Sequence, residues 1–152
     1  RGHYRAEEYE QAVELYAMIV DQYPNTPTAA AIRSEFRQAQ LLVDDASERE
    51  FRRINNQLPQ MNYEETILLV QDFLAQYPSS DRFEEAKQML QENQTAKSIA
   101  DSLYTFGRAY LEEQKYSLAR GRYEKLLEEH PRSQWVPQAQ KDYQEVLEKL
   151  QE

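Results

Sequence analysis

One nineteen-residue phrase is written three times along the chain: "YEQAVELYAMIVDQYPNTP" from Tyr9, "YEETILLVQDFLAQYPSSD" from Tyr63 and "YSLARGRYEKLLEEHPRSQ" from Tyr116. The steps are 54 and 53 residues. In register, Ala12, Thr66 and Ala119 coincide, then Tyr16, Val70 and Tyr123, then Ile19, Phe73 and Leu126, then Tyr23, Tyr77 and His130. Counted from the leading Tyr, these lie at offsets 3, 7, 10 and 14, which places the side chains on one stripe of an α-helix. A phrase that buries one stripe cannot fold alone. It needs neighbours stacked against it, so its repetition points to a helical-repeat protein.

The punctuation agrees. Each phrase closes on proline (Pro24, Pro78, Pro131), which cannot donate to the preceding turn and biases its predecessor away from helical geometry. Two residues later comes a hydroxyl (Thr26, Ser80, Ser133), the N-cap expected for the next helix, and Pro27 suits a first helical position. Helical periodicity continues from Pro27 to about Leu58 and from Asp81 to about Glu113, although the polar run "QENQTAK" at 91–97 could turn or break the second stretch. Unbroken, each helix would be roughly 45–50 Å long. The tail puts Trp135, Ala139, Tyr143, Val146 and Leu150 on one stripe of a closing helix that covers the last repeat.

Composition narrows the function classes. With 3 Gly and 6 Pro in 152 residues there are too few turn formers for an all-β fold. Net charge is −9, from 27 acidic and 18 basic side chains, which disfavours nucleic acid and anionic membrane as partners. No apolar run reaches the ~20 residues of a membrane span. The chain has no cysteine, so thiol chemistry and Cys-based metal sites are excluded. His3 and His130 are its only histidines, and His130 stands at a packing position before Pro131. No HExxH, GxSxG, GKS/GKT or Gly-rich phosphate loop occurs. The carboxylate pairs Asp44-Asp45 and Glu84-Glu85 are adjacent on helices and point apart, as solvated faces do. The expectation is a chain without catalytic residues, cofactor or metal. Beginning at Arg1 without a methionine, it reads as a piece of a longer protein.

The stretch "LYTFGRAYLEEQKYSLARGRYEKLLEEHP", Leu103 to Pro131, resembles a tetratricopeptide repeat, with Gly107, Tyr110, Ala119, Tyr123 and Pro131 at the motif positions. Copy two has Ile54 at the Gly position, and in copy one that position precedes Arg1. The "QYPNT" and "QYPSS" endings resemble the variant found in bacterial envelope lipoproteins of the β-barrel-assembly (BamD) and Tol–Pal coordinator type. The repeat step here is longer than the family's ~34 residues. What the resemblance implies is an all-α fold of antiparallel helix hairpins in a right-handed superhelix, with unusually long first helices. It would form a single domain over 1–152, with repeat cores at about 1–24, 45–78 and 101–131 and a capping helix at about 134–151. It also implies a non-catalytic scaffold that holds a protein or peptide partner, in a periplasmic or outer-membrane-associated setting.

In that family the groove is lined by the first helix of each pair. Carried over position by position, the groove residues are Asp101, Tyr104, Arg108 and Leu111, then Glu48, Phe51, Asn55 and Leu58, and in copy one Tyr4 and Arg5. Aromatic side chains with arginine are the composition of binding hot spots. The bland alternative is that Phe51 and Leu58 are packed core. On this reading Arg108→Glu weakens a partner and leaves folding alone. Two functional readings compete with the scaffold: a spacer that self-associates through open repeat ends, and an accessory domain of a larger enzyme or sensor.

Overall fold

The computed structural model describes the backbone of residues 2–22 and 27–152 and the side chains of residues 7–22, 27 and 31–152. Tyr23, Pro24 and Thr26 lie outside the described residues. Among the described residues six α-helices follow in order: α1 (Gly2–Gln22), α2 (Pro27–Gln57), α3 (Tyr63–Gln76), α4 (Phe83–Glu112), α5 (Tyr116–Glu129) and α6 (Val136–Gln151), with a 3-10 turn at Leu58–Gln60 between α2 and α3. Among the described residues there is no strand. The fold is an all-α helical repeat. No helix among the described residues is long and apolar enough to cross a membrane.

The helix ends follow local chemistry. Ser80 Oγ accepts from the Arg82 N–H at 3.0 Å and Ser133 Oγ from the Trp135 N–H at 3.1 Å, so each hydroxyl closes the turn that leads into a helix, whereas the N-cap of α6 is Trp135, which makes no side-chain cap, and Ser133 is not the N-cap expected from the sequence. Asn62 Oδ1 caps α3 through the Glu65 N–H at 2.9 Å, and Glu64 and Glu65 add charge where the helix dipole favours it. α4 runs unbroken through 91–97, and α2 is likewise continuous. Each of these long helices therefore joins two roles. Its first half follows one copy of the phrase, and its second half is the first helix of the next hairpin, which accounts for the 54- and 53-residue steps.

α4 ends with Gln114 at φ 61. The Lys115 N–H reaches the Tyr110 carbonyl at 2.8 Å and the Gln114 N–H reaches that of Leu111 at 3.0 Å, the paired bonds of a left-handed C-terminal stop. Glycine adopts this conformation without the Cβ penalty. Gln114→Gly is expected to stabilise the chain by about 0.5–1 kcal/mol, read as a raised urea midpoint at unchanged slope.

Contacts group into two compact units, residues 1–56 with 68–89 and residues 57–67 with 90–152, so α3 and α4 contribute to both. The core of the first unit includes Val43, Ile54, Val70 and Phe73, each 2% exposed or less. Phe73 meets Phe51 at 5.7 Å and Tyr77 at 5.2 Å between ring centroids. In the second unit α5 packs on α6, and Leu103, Leu111, Ala119, Tyr123, Leu126, Ala139 and Val146 form one cluster. The stripe read from the phrase is therefore core in copies two and three.

The loops after α3 and α5 are tied down in matching ways, each inside its own unit. Ser79 donates from its N–H and its hydroxyl to Glu10 of α1, which is 5% exposed. Burial pushes the Glu10 carboxyl up, and the two Ser79 bonds draw it part of the way back. Arg132, the counterpart of Ser79, donates to the Met61 carbonyl and to Thr66 Oγ1 and lies 5.3 Å over the Tyr63 ring. Beside it the Tyr63 hydroxyl and His130 Nδ1 are hydrogen-bonded at 3.0 Å, both residues buried. His130 is a packing residue, as its place before Pro131 predicts.

Candidate functional site

The second half of each long helix carries the stripe expected to face a partner. In the first unit, Arg82 donates to both carboxylate oxygens of Glu48 at 2.6 and 3.1 Å and to Glu85 at 2.7 Å, with its guanidinium 5.5 Å over the Phe51 ring. In the second unit, Trp135 Nε1 donates to Asp101 at 2.9 Å, and its ring stacks on Tyr104 at 4.3 Å and 4°. Arg82 and Trp135 are counterparts, as are Glu48 and Asp101, and Phe51 and Tyr104. Both joints span 34 residues. One device, a planar group laid on an aromatic ring and tied to a carboxylate, clamps the long helix in each unit.

That device takes up four of the expected groove residues, Glu48, Phe51, Asp101 and Tyr104. Phe51 is 6% exposed beneath Arg82, and Leu111, 8% exposed, belongs to the core cluster. Leu58 is half-buried in the 3-10 turn, and Asn55 is exposed. Asp101, Tyr104 and Arg108 do come together on one stripe of α4, but Asp101 is bonded by Trp135, Arg108 by Asp142 of α6, and the Tyr104 ring is stacked on Trp135. Arg108 pairs with Asp142 at 3.4 Å and with Glu112 at 3.4 Å, and Asp101 also holds Lys97 at 2.8 Å. The stripe is a helix–helix seam. Tyr4 and Arg5 lie on α1, and their side chains are outside the described residues.

At the centre of the seam sits Asp142, 3% exposed, which the sequence reading did not single out. It accepts from the Tyr123 hydroxyl at 3.1 Å, from Arg108 and from Gln138 at 3.1 Å. Three donors satisfy a carboxylate that would otherwise be costly to bury. The spacing of nineteen residues from Tyr123 was the available signal, because Tyr16 is tied to Glu35 at the same separation.

The open surface lies one face over. Ile67, Gln94, Lys97, Ser98, Ser102, Thr105 and Phe106 border a cleft of about 460 Å³ with Asp101. Phe106 is 54% exposed, and Ile99, on the same helix, is 45% exposed. Lys97 is held by Asp101 and lies 3.6 Å from Glu64, and the Asp101 hydrogen bond raises its pKa above the usual lysine value. Internal comparison would have found this face. Copy two has Arg49, Arg52 and Arg53 where copy three has Ser102, Thr105 and Phe106. Arg53 is exposed and paired to Glu50 at 2.6 Å, so Phe106 occupies a surface position. Among the described residues no three His, Asp or Glu side chains converge as metal ligands.

The sequence profile of the Tetratricopeptide repeat family matches residues 3–26 and 101–133. The matched stretches are copies one and three. No curated protein matches the chain. Profile and all-helical fold together support a likeness to tetratricopeptide repeats over these two stretches, and such repeats are in general modules of protein–protein interaction.

Proposed function

We propose that the chain is a non-catalytic adaptor that holds a partner protein at the α4 cleft of its second unit. The observation that carries this reading is Phe106, a large aromatic left 54% exposed at the edge of that cleft. An exposed aromatic flanked by hydroxyl, amide and charged groups has the anatomy of a hot spot with a polar rim. The partner that fits is a peptide segment offering an apolar side chain to Phe106 and Ile67. The net charge of −9 favours a protein over a nucleic acid. The setting we propose is a bacterial envelope assembly in the periplasm, on the resemblance of the "QYPNT" and "QYPSS" endings to envelope lipoproteins.

Phe106→Asp is expected to abolish partner capture and leave the unfolding midpoint in place, because the ring is not core. A photo-crosslinker at Ser102 should label the same partner, recovered from envelope and not cytosolic fractions. Equal capture by parent and variant would overturn the cleft assignment. Capture from cytosol alone would overturn the envelope setting.

A further inference from the structure

The phrase helix and the helix after it are tied together differently in the first and last copies. In copy three the Tyr143 hydroxyl of α6 donates to Glu124 Oε1 of α5 at 3.0 Å, and Arg120 holds the same oxygen at 3.1 Å. Tyr143 and Glu124 are nineteen residues apart. Copy one keeps that register, since Tyr16 bonds Glu35 as Tyr123 bonds Asp142. Ala17 therefore stands where Glu124 does, and Phe36 where Tyr143 does. Ala17 has no side-chain group to accept and Phe36 none to donate, so this tie is not made in copy one.

In its place the first unit has a cleft of about 550 Å³, lined by Ala17, Val20 and Asp21 of α1 and by Arg33, Phe36 and Arg37 of α2. The volume falls in the range of small-molecule sites. Val20 and Phe36 are half-buried, and the two arginines beside them are exposed. Four residues apart, the arginines share one face of α2. Their counterparts in copy three are Gln140 and Gln144, so the positive charge is particular to this cleft. Two guanidinium groups against the single Asp21 carboxylate leave the lining one positive charge, in a chain whose net charge is −9. An apolar lining with one excess cation complements a monoanion that carries an apolar chain, and guanidinium geometry suits a carboxylate.

We propose that this cleft binds a small amphipathic monocarboxylate. Its chain lies against Ala17, Val20 and Phe36, and its carboxylate is held by Arg33 and Arg37. The site is independent of the α4 cleft.

The probe is octanoate, titrated into the isotope-labelled full chain. Expected is saturable binding with amide shifts centred on Ala17, Val20 and Phe36. Octanol, which lacks the charge, should bind about tenfold more weakly, and acetate, which lacks the chain, should not saturate. Arg33→Gln with Arg37→Gln should cost octanoate about the same factor at an unchanged unfolding midpoint, because both positions are exposed. Ala17→Glu with Phe36→Tyr installs the copy-three pair and should abolish saturable binding. Phe106→Asp should change nothing. Absence of saturation by octanoate, equal binding of octanoate and octanol, or undiminished binding by the glutamine variant would each overturn the proposal. So would shifts centred on other exposed apolar side chains such as Leu41 or Leu118. A dimer of the free chain that the glutamine variant dissolves would also overturn it, by assigning the cleft to a second copy.

Discussion

Tyr123→Ala is expected to lower stability by about 3–5 kcal/mol. The ring is 0% exposed, lies against Gly107, and sits 6.5 Å from Tyr104 between centroids. Truncation leaves a cavity between helices that cannot close without moving α5 against α4. It also removes one of the donors that hold the buried Asp142 carboxylate. Tyr123→Phe separates the two losses: it keeps the ring and deletes the hydroxyl, for an expected loss of about 1–2 kcal/mol. Urea unfolding measures both, with the slope as the check that the unfolded state is unchanged. Burial, and then the Asp142 charge, push the Tyr123 phenol above its ordinary value. The stability tied to that protonated hydroxyl is therefore present below the ordinary tyrosine pKa of about 10 and is lost as alkali rises through the folded value. An alanine variant within about 1 kcal/mol of the parent would remove Tyr123 from the core stripe.

Arg108→Glu is expected to destabilise the second unit by about 2 kcal/mol, a figure already reduced for a side chain that is 39% exposed. This reverses the sequence-based expectation that folding would be untouched. Arg108 faces Asp142, whose side chain is 5% exposed, and the substitution sets one carboxylate against another that cannot turn to water. Arg108→Gln removes the charge without adding repulsion and should cost less. Thermal midpoints of the parent and the two variants at neutral pH test this. A neutral result for Arg108→Glu would mean that the pairing across the seam contributes nothing.

The glycine of the repeat shows how far a motif can be read. Gly107 is required because Tyr123 fills the space in front of it, and Gly107→Ala would set a methyl group 2.8 Å from the ring. Copy two replaces this pair by Ile54 and Val70, which are 2% and 1% exposed. Volume has moved from one helix to the other while both positions stay in the core, as a closely packed interior requires. Copy two thus departs from the motif residue and keeps the packing.

Helices, the stops of α3 and α5, and the buried stripe of α3 and α5 were all legible in the chain, because each depends on neighbours within a few residues. Period and proline act locally and carry their meaning with them. The continuity of α4 through 91–97 was not legible, since a polar run tolerates a turn as well as a helix until other helices pack on both its ends. Nor was the role of Asp101, Tyr104 and Arg108. Their angle around the α4 axis follows from residue number, but what stands opposite depends on where α6 crosses. Trp135 and Asp142 arrive from 34 residues further on and turn the expected groove into a seam, which leaves Phe106 on the adjoining face exposed. A helical stripe records that something will cover it, and the geometry of the neighbouring helix determines what does.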